Sequence, residues 1–270
     1  MHPHFEFPVR QVLWTLTFAA QLVLLVVLLG RDRARRYPWF TAGIALFTLQ
    51  LMAEVLLAGR MAIIPLQEIL LSLADLGVIL ALLVVVEVAR RAFAGVQRSW
   101  WTVNTLGLLV VAGIGLVFWG PWPAGKDLAL DSTLGRLHLM QLVALKGNTL
   151  VYLLTVGLGL LVVLFGRRFK AGWRSHTQMI SIGLSAIAIA WLAVQAVVQS
   201  IVKTAHPQSR EEYERVLDLI AKLLNASKLV FLAALVWWIV WLWFDEPGTA
   251  VAEPAAVKVE TGDAGAANEC

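Results

Sequence analysis

A small set of polar and ionisable side chains interrupts otherwise apolar stretches of this chain, and their spacing limits the chemistry they can do. Gln50 and Glu54 are four residues apart, so they share one face of a helix. Glu68 and Asp75 are seven apart, nearly two full turns, and also share a face. His138, Gln141, Asn148 and Tyr152 form one stripe, with Lys146 to its side. Asp218, Lys222, Asn225 and Lys228 follow one another at three or four residues. A charged side chain in hydrocarbon costs at least ~2.5–3.5 kcal/mol on insertion scales, so such groups pair across helices or line a polar cavity. Asp75 with Lys228 or Lys146 would make a buried ion pair. The same residues could instead line a pocket for a small ligand or an ion, or mark a translocation path.

The elements that must position these groups are membrane spans. The chain has 270 residues, 59% hydrophobic and 15% charged, with a mean hydropathy of +0.76. Soluble domains are nearer 45–50% apolar and about 25% charged. Seven mostly apolar stretches are long enough to cross a bilayer, at about 9–29, 38–58, 66–89, 100–119, 138–165, 175–202 and 217–244. Segments combining charge with Gly, Pro or Ser separate them. The first is too long for a signal-peptide core and has no small-residue cleavage site after it, so it reads as a retained anchor. The expected fold is all-α: one seven-helix transmembrane domain over 1–245, followed by a disordered acidic tail over 246–270, rich in Ala, Gly and Pro.

Arginine and lysine set the orientation. The first, third and fifth loops carry Arg31, Arg33, Arg35, Arg36, Arg90, Arg91, Arg98, Arg167, Arg168, Lys170 and Arg174, with Asp32 almost the only acid. On the other side, Arg10, Arg60, Lys126, Arg136, Lys203, Arg210 and Arg215 are spread over longer segments and interleaved with acids. The bias predicts an outside N-terminus and a cytoplasmic C-terminus for a multi-pass protein of the plasma (inner) membrane, with Trp39, Trp100, Trp101, Trp173, Trp241 and Trp243 at the inner interface. By helical rise, Asp75 and Lys228 lie roughly 14 and 16 Å below the outer ends of their spans. This predicts a polar outer half above a dry inner half. Glu87, with Arg91 four residues on, reads as an interface pair. Ser209 and Glu212 form a capping box, so the last helix starts outside the membrane. In the sixth span, Ser181, Ser185, Ala188, Gln195 and Gln199 share one heptad face, with Gly183 and several alanines nearby, a pattern that signals close helix packing.

Several classes of activity find little support. The single cysteine, Cys270, excludes an intrachain disulfide. His2, His4, His138 and His206 have no metal-ligand spacing within a span, so no metal is expected, and nothing suggests nucleic acid. An intramembrane hydrolase would need converging nucleophile, base or metal ligands. Only His138 and His176 touch the spans, at opposite faces, so enzyme function is not expected.

Lys228 in the last span and Asp75 in the third resemble the retinal lysine and counterion of microbial rhodopsins, and "NASK" is similar to the stretch before that lysine. The pattern departs elsewhere. Ser72 replaces the arginine three before the carboxylate, the sixth span has Trp191 but no proline or tyrosine for a ring clamp, and Asn225 replaces the acid near the lysine. Retinal on Lys228 is therefore not the expected cofactor. "LLGRDRARRYPWFTAGIALFTLQ" (28–50) resembles the first inner loop of a group of small bacterial seven-helix integral membrane proteins, in its run Arg35, Arg36, Tyr37, Pro38, Trp39 and Phe40. That resemblance implies the topology and no activity. At the level of topology alone, the chain is also similar to the seven-helix sensor regions of bacterial histidine kinases. The expected function is a non-enzymatic sensory or ligand-binding protein with an outward-facing polar pocket for an unknown small ligand, signalling to a separate cytoplasmic or membrane partner. A small-solute or ion transporter is the alternative, and a retinal protein the third.

Overall fold

The computed structural model describes residues 9–57, 59–93, 98–118, 132–165, 175–205 and 209–245. Within these the chain is helical, with no strand. Helix α1 runs Val9–Gly30 and is followed by the short α2, Arg33–Arg36. Asp32 begins α2 in the left-handed region at φ 53°, a conformation that Asp tolerates better than most residues. Helix α3, Pro38–Leu57, opens on a proline, whose missing N–H costs nothing in the first turn. Helices α4 (Ile63–Ala92), α5 (Arg98–Phe118), α6 (Thr133–Phe165), α7 (His176–Thr204) and α8 (Arg210–Trp243) complete the set. Ser175 and Ser209 cap α7 and α8 by accepting the N–H of Gln178 and Glu212. Helix α8 thus starts seven residues before the apolar stretch, as its capping signal predicts.

Six of these helices are long and apolar enough to cross a bilayer; in α5 the corresponding apolar stretch is the shorter Thr105–Phe118. The protein is a multi-pass membrane protein on that ground. The exposed faces of the helices are themselves apolar, as with Val26, Leu29, Val86, Leu160 and Val240, which suits lipid rather than water.

The helices pack in a ring in the order α1, α3, α4, α6, α7, α8 and back to α1, with α5 outside against α6. Side-chain contacts give their directions. Gly43 faces Val84 and Gly77 faces Leu46, so α3 and α4 are antiparallel. Ser185 bonds Thr155 while Trp191 meets Tyr152, so α6 and α7 are antiparallel. Helix α5 opposes α6, because Gly115 lies against Leu153 and Gly157 against Leu108. The start of α3, the end of α4, the start of α7 and the end of α8 meet at one end of the bundle, through Phe40 with Glu87, Tyr37 with Thr177, and His176 with Phe244. This end carries Arg31, Arg33, Arg35, Arg36, Arg90 and Arg91 and is called the basic end below. Helices α4 and α6 both run toward it, and α5, which lies between them in sequence, runs the opposite way.

The buried core lies toward the basic end. Leu24, Val27 and Leu28 of α1, Phe40 and Ile44 of α3, and Val84, Val85 and Val88 of α4 pack with Leu154, Leu158 and Val162 of α6, Ile180 of α7, and Leu235, Trp238 and Leu242 of α8. A Cβ on Gly183 would collide with the Trp238 ring, so glycine is what lets α7 and α8 approach so closely there. The expectations for the tail 246–270, for His2, His4 and His206, for Lys126, Arg167, Arg168, Lys170, Trp173 and Arg174, and for the side chains of Arg10, Arg98, Trp100 and Trp101, lie outside the described residues.

Candidate functional site

Two polar constellations emerge, at different heights in the bundle. The first lies between α4, α6 and α7, on the side of the core away from the basic end. Val78 of α4 presses on Gly147 of α6, where an added Cβ would lie 2.6 Å from its Cγ1. Asp75 precedes Val78 by one turn on α4 and Lys146 precedes Gly147 on α6, so both ionisable residues flank this α4–α6 contact, though they form no ion pair with each other. Lys146 is buried, at 8% exposure. Asp75 is half-buried, and its Oδ1 atom is shut off from solvent with no hydrogen-bond donor among the described residues. Asn148, Tyr152 and Glu68 are half-buried on the same two helices. The Tyr152 ring packs on Trp191 of α7, with centroids 4.7 Å apart.

The other sequence candidates lie elsewhere. Glu54, His138, Gln141, Lys222 and Lys228 are exposed, and Asn225 is half-buried on α8. Lys222 makes a surface ion pair with Asp218 at 2.7 Å, both side chains well exposed. Lys228 corrects the sequence reading most clearly. It was expected beside Asp75, yet α8 packs on α7 and α1, and Lys228 stands on its open face with no ion pair among the described residues. Periodicity orders residues around a helix but does not say which face a neighbour covers. Side chains lean toward a helix's N-terminus. For α8 that is the end away from the basic cluster, the direction in which a lysine stem can lean toward polar surroundings. The retinal geometry has no footing here either: Lys228 is outside the bundle, while Trp191 is engaged with Tyr152.

The second constellation is at the basic end, and the sequence reading valued it only as an interface anchor. Tyr37 is fully buried; its hydroxyl shares a 2.8 Å hydrogen bond with Thr177, and the Arg91 guanidinium lies 4.9 Å from its ring centroid. Phe40 sits edge-on to the buried Trp238, centroids 5.0 Å apart. Glu87, read as an interface pair, does meet Arg91 at 3.8 Å, but it is buried and its Oε2 also accepts the N–H of Phe40 at 3.1 Å. The carbonyl of Phe244, at the end of α8, meets His176 Nε2 at 3.0 Å, and Arg33 reaches Asp245 at 2.7 Å. Trp39 remains exposed, as an interfacial tryptophan should be.

The sequence reading missed Gln21, 1% exposed in the middle of α1, whose Oε1 finds no donor among the described residues. An amide in the middle of an apolar span was the available signal. The buried Thr48, Thr149 and Thr155 need no further partner, since each donates to the carbonyl four residues back. Among the described residues no group of His, Cys, Asp and Glu is arranged to hold a metal ion. The basic-end cluster is rich in internal partners and reads as a lock between helices, even though Arg33 Nε and Trp238 Nε1 are buried there without a hydrogen-bond partner among the described residues. The Asp75–Lys146 region contains an acceptor that the fold leaves unmet, and it is the better candidate for binding. No family model matches the chain, and neither does any curated protein or solved structure.

Proposed function

We propose that this is a non-enzymatic, seven-span sensory or ligand-binding protein whose pocket lies around Asp75, Lys146, Asn148 and Tyr152. The observation that carries this reading is the Asp75 Oδ1 atom, buried without a donor. A carboxylate oxygen left unsatisfied away from water costs a few kcal/mol, and a ligand bearing a hydrogen-bond donor recovers that cost. Transport is less well supported, because the path from Asp75 to the basic end is filled by Val84, Val85, Val88, Leu154 and Leu158. A signal would instead pass through relative movement of α4, α6 and α7 to a partner at the basic end.

The seven-span reading draws support from the parallel course of α4 and α6, which requires the chain between them to recross. Together with the arginine distribution it favours an outside N-terminus and a cytoplasmic basic end. Cysteine labelling in intact cells tests this: with Cys270 changed to Ser, Arg60→Cys should react with an impermeant maleimide and Arg35→Cys should not. Equal labelling of both would sink the topology. For the pocket, a thermal-shift screen of small amines, amides and alcohols compares wild type with Asp75→Asn. The reading requires a compound that raises the wild-type unfolding temperature and loses most of that effect in the variant. Hits that act on both proteins equally would place binding elsewhere.

A further inference from the structure

We infer that the outer groove where α1 and α8 meet at the basic end is a binding site for an anionic phospholipid, with Arg31 and Trp243 receiving the headgroup phosphate. Three acids are described at that end, and each is already taken. Asp32 faces Arg35 at 3.4 Å, Glu87 faces Arg91, and Asp245 faces Arg33. Arg31 makes no ion pair among the described residues. It is exposed, and its guanidinium lies 5.0 Å from the Trp243 ring centroid. Trp243 is itself 50% exposed, so the stacked pair forms a shelf on the outside of the bundle. Stacking holds the guanidinium at a fixed height while leaving its N–H donors open to a phosphate.

The surface leading to this shelf is apolar on both helices. Leu22, Val26 and Leu29 line the open face of α1, and Val236 and Val240 precede Trp243 on the open face of α8. Both sets follow the i, i+4, i+7 spacing of a single helical stripe. The two helices are neighbours, and it is the α8 stripe that runs into Trp243, against which Arg31 at the α1 end stacks. An apolar strip ending in an uncompensated cation matches acyl chains ending in a phosphate. A second copy of the chain is a poorer occupant, since two-fold pairing about an axis along the membrane normal would bring Arg31 toward Arg31 at the same depth. A soluble partner would not cover the strip. The inference is independent of the Asp75 pocket.

The test uses the full chain in neutral detergent. Unfolding temperature and lipid retention in native mass spectrometry are followed with added phosphatidylglycerol, phosphatidylcholine or soluble glycerol phosphate. Phosphatidylglycerol should stabilise the wild type and stay bound. Arg31→Gln should weaken this by about fivefold, the effect of one basic residue near an anionic surface. Trp243→Leu should weaken it too, whereas Arg35→Gln, an equal change of charge at the same end, should not. The site is refuted if Arg31→Gln and Arg35→Gln respond alike, if phosphatidylcholine serves as well, or if glycerol phosphate matches the lipid. With Cys270 changed to Ser, lipid-independent cross-linking of Val240→Cys between copies would assign the face to a second protomer instead.

Discussion

Glu87 on α4 accepts the backbone N–H of Phe40 on α3 at 3.1 Å, across 47 residues of sequence. The first turn of a helix has N–H groups without intrahelical partners and a partial positive charge, so a carboxylate there is doubly suited. Arg91 at 3.8 Å balances the same carboxylate. One side chain thus joins two antiparallel helices and steadies the short turn that inserts Tyr37 and Phe40 into the core.

Glu87→Ala should therefore destabilise the protein by roughly 1–3 kcal/mol, the cost of leaving a buried donor unmet. Glu87→Gln should lose less, because its amide oxygen can still accept from Phe40. Unfolding titrations with SDS in mixed micelles measure both, and equal losses would show that charge rather than the hydrogen bond is what matters.

Tyr37 separates packing from polarity. Tyr37→Phe removes only the hydroxyl bonded to Thr177 and should cost about 1 kcal/mol. Tyr37→Ala also empties a fully buried site and should cost about 3–5 kcal/mol, as truncations of large aromatic residues in cores do. The same titration distinguishes them.

Two glycines should behave in opposite ways. Gly183→Ala places a methyl group against the buried Trp238 ring, and overpacking of this kind costs about 1–3 kcal/mol. Gly113→Ala on α5 meets nothing within 4 Å and should be neutral or stabilising by up to ~1 kcal/mol, since alanine favours a helix over glycine. A neutral Gly183→Ala would mean that Trp238 has room to move.

Lys228→Met tests the corrected placement of that lysine. An exposed residue without an ion-pair partner should alter stability by no more than ~0.5 kcal/mol. A loss of several kcal/mol would return Lys228 to a buried pair.

The candidate site was half legible. Seven-residue spacing put Glu68 and Asp75 on one face of α4, and four-residue spacing put Asn148 and Tyr152 on one face of α6; the structure half-buries all four. The same rule grouped His138 and Gln141 with them, but both are exposed toward the start of α6. Burial along a stripe depends on how far neighbouring helices extend, and no spacing rule contains that information. Glu87 illustrates the reverse case. Its i, i+4 partner Arg91 was visible in the sequence, but the Phe40 N–H it also serves is a contact between distant segments.

What the sequence determined by itself is local: apolar run length, cap residues, arginine distribution and helical faces. Each follows from interactions within a few turns or from the partition between lipid and water. The tertiary structure decided which faces the neighbours cover. It buried Lys146 and exposed Lys228, although both are lysines within apolar spans. It also drew Tyr37, Phe40, Glu87, His176 and Trp238 from four helices and the loop residue 37 into one lock. Helix order around the ring and close approach at Gly147 and Gly183 make those choices, and both depend on packing between segments far apart in the chain.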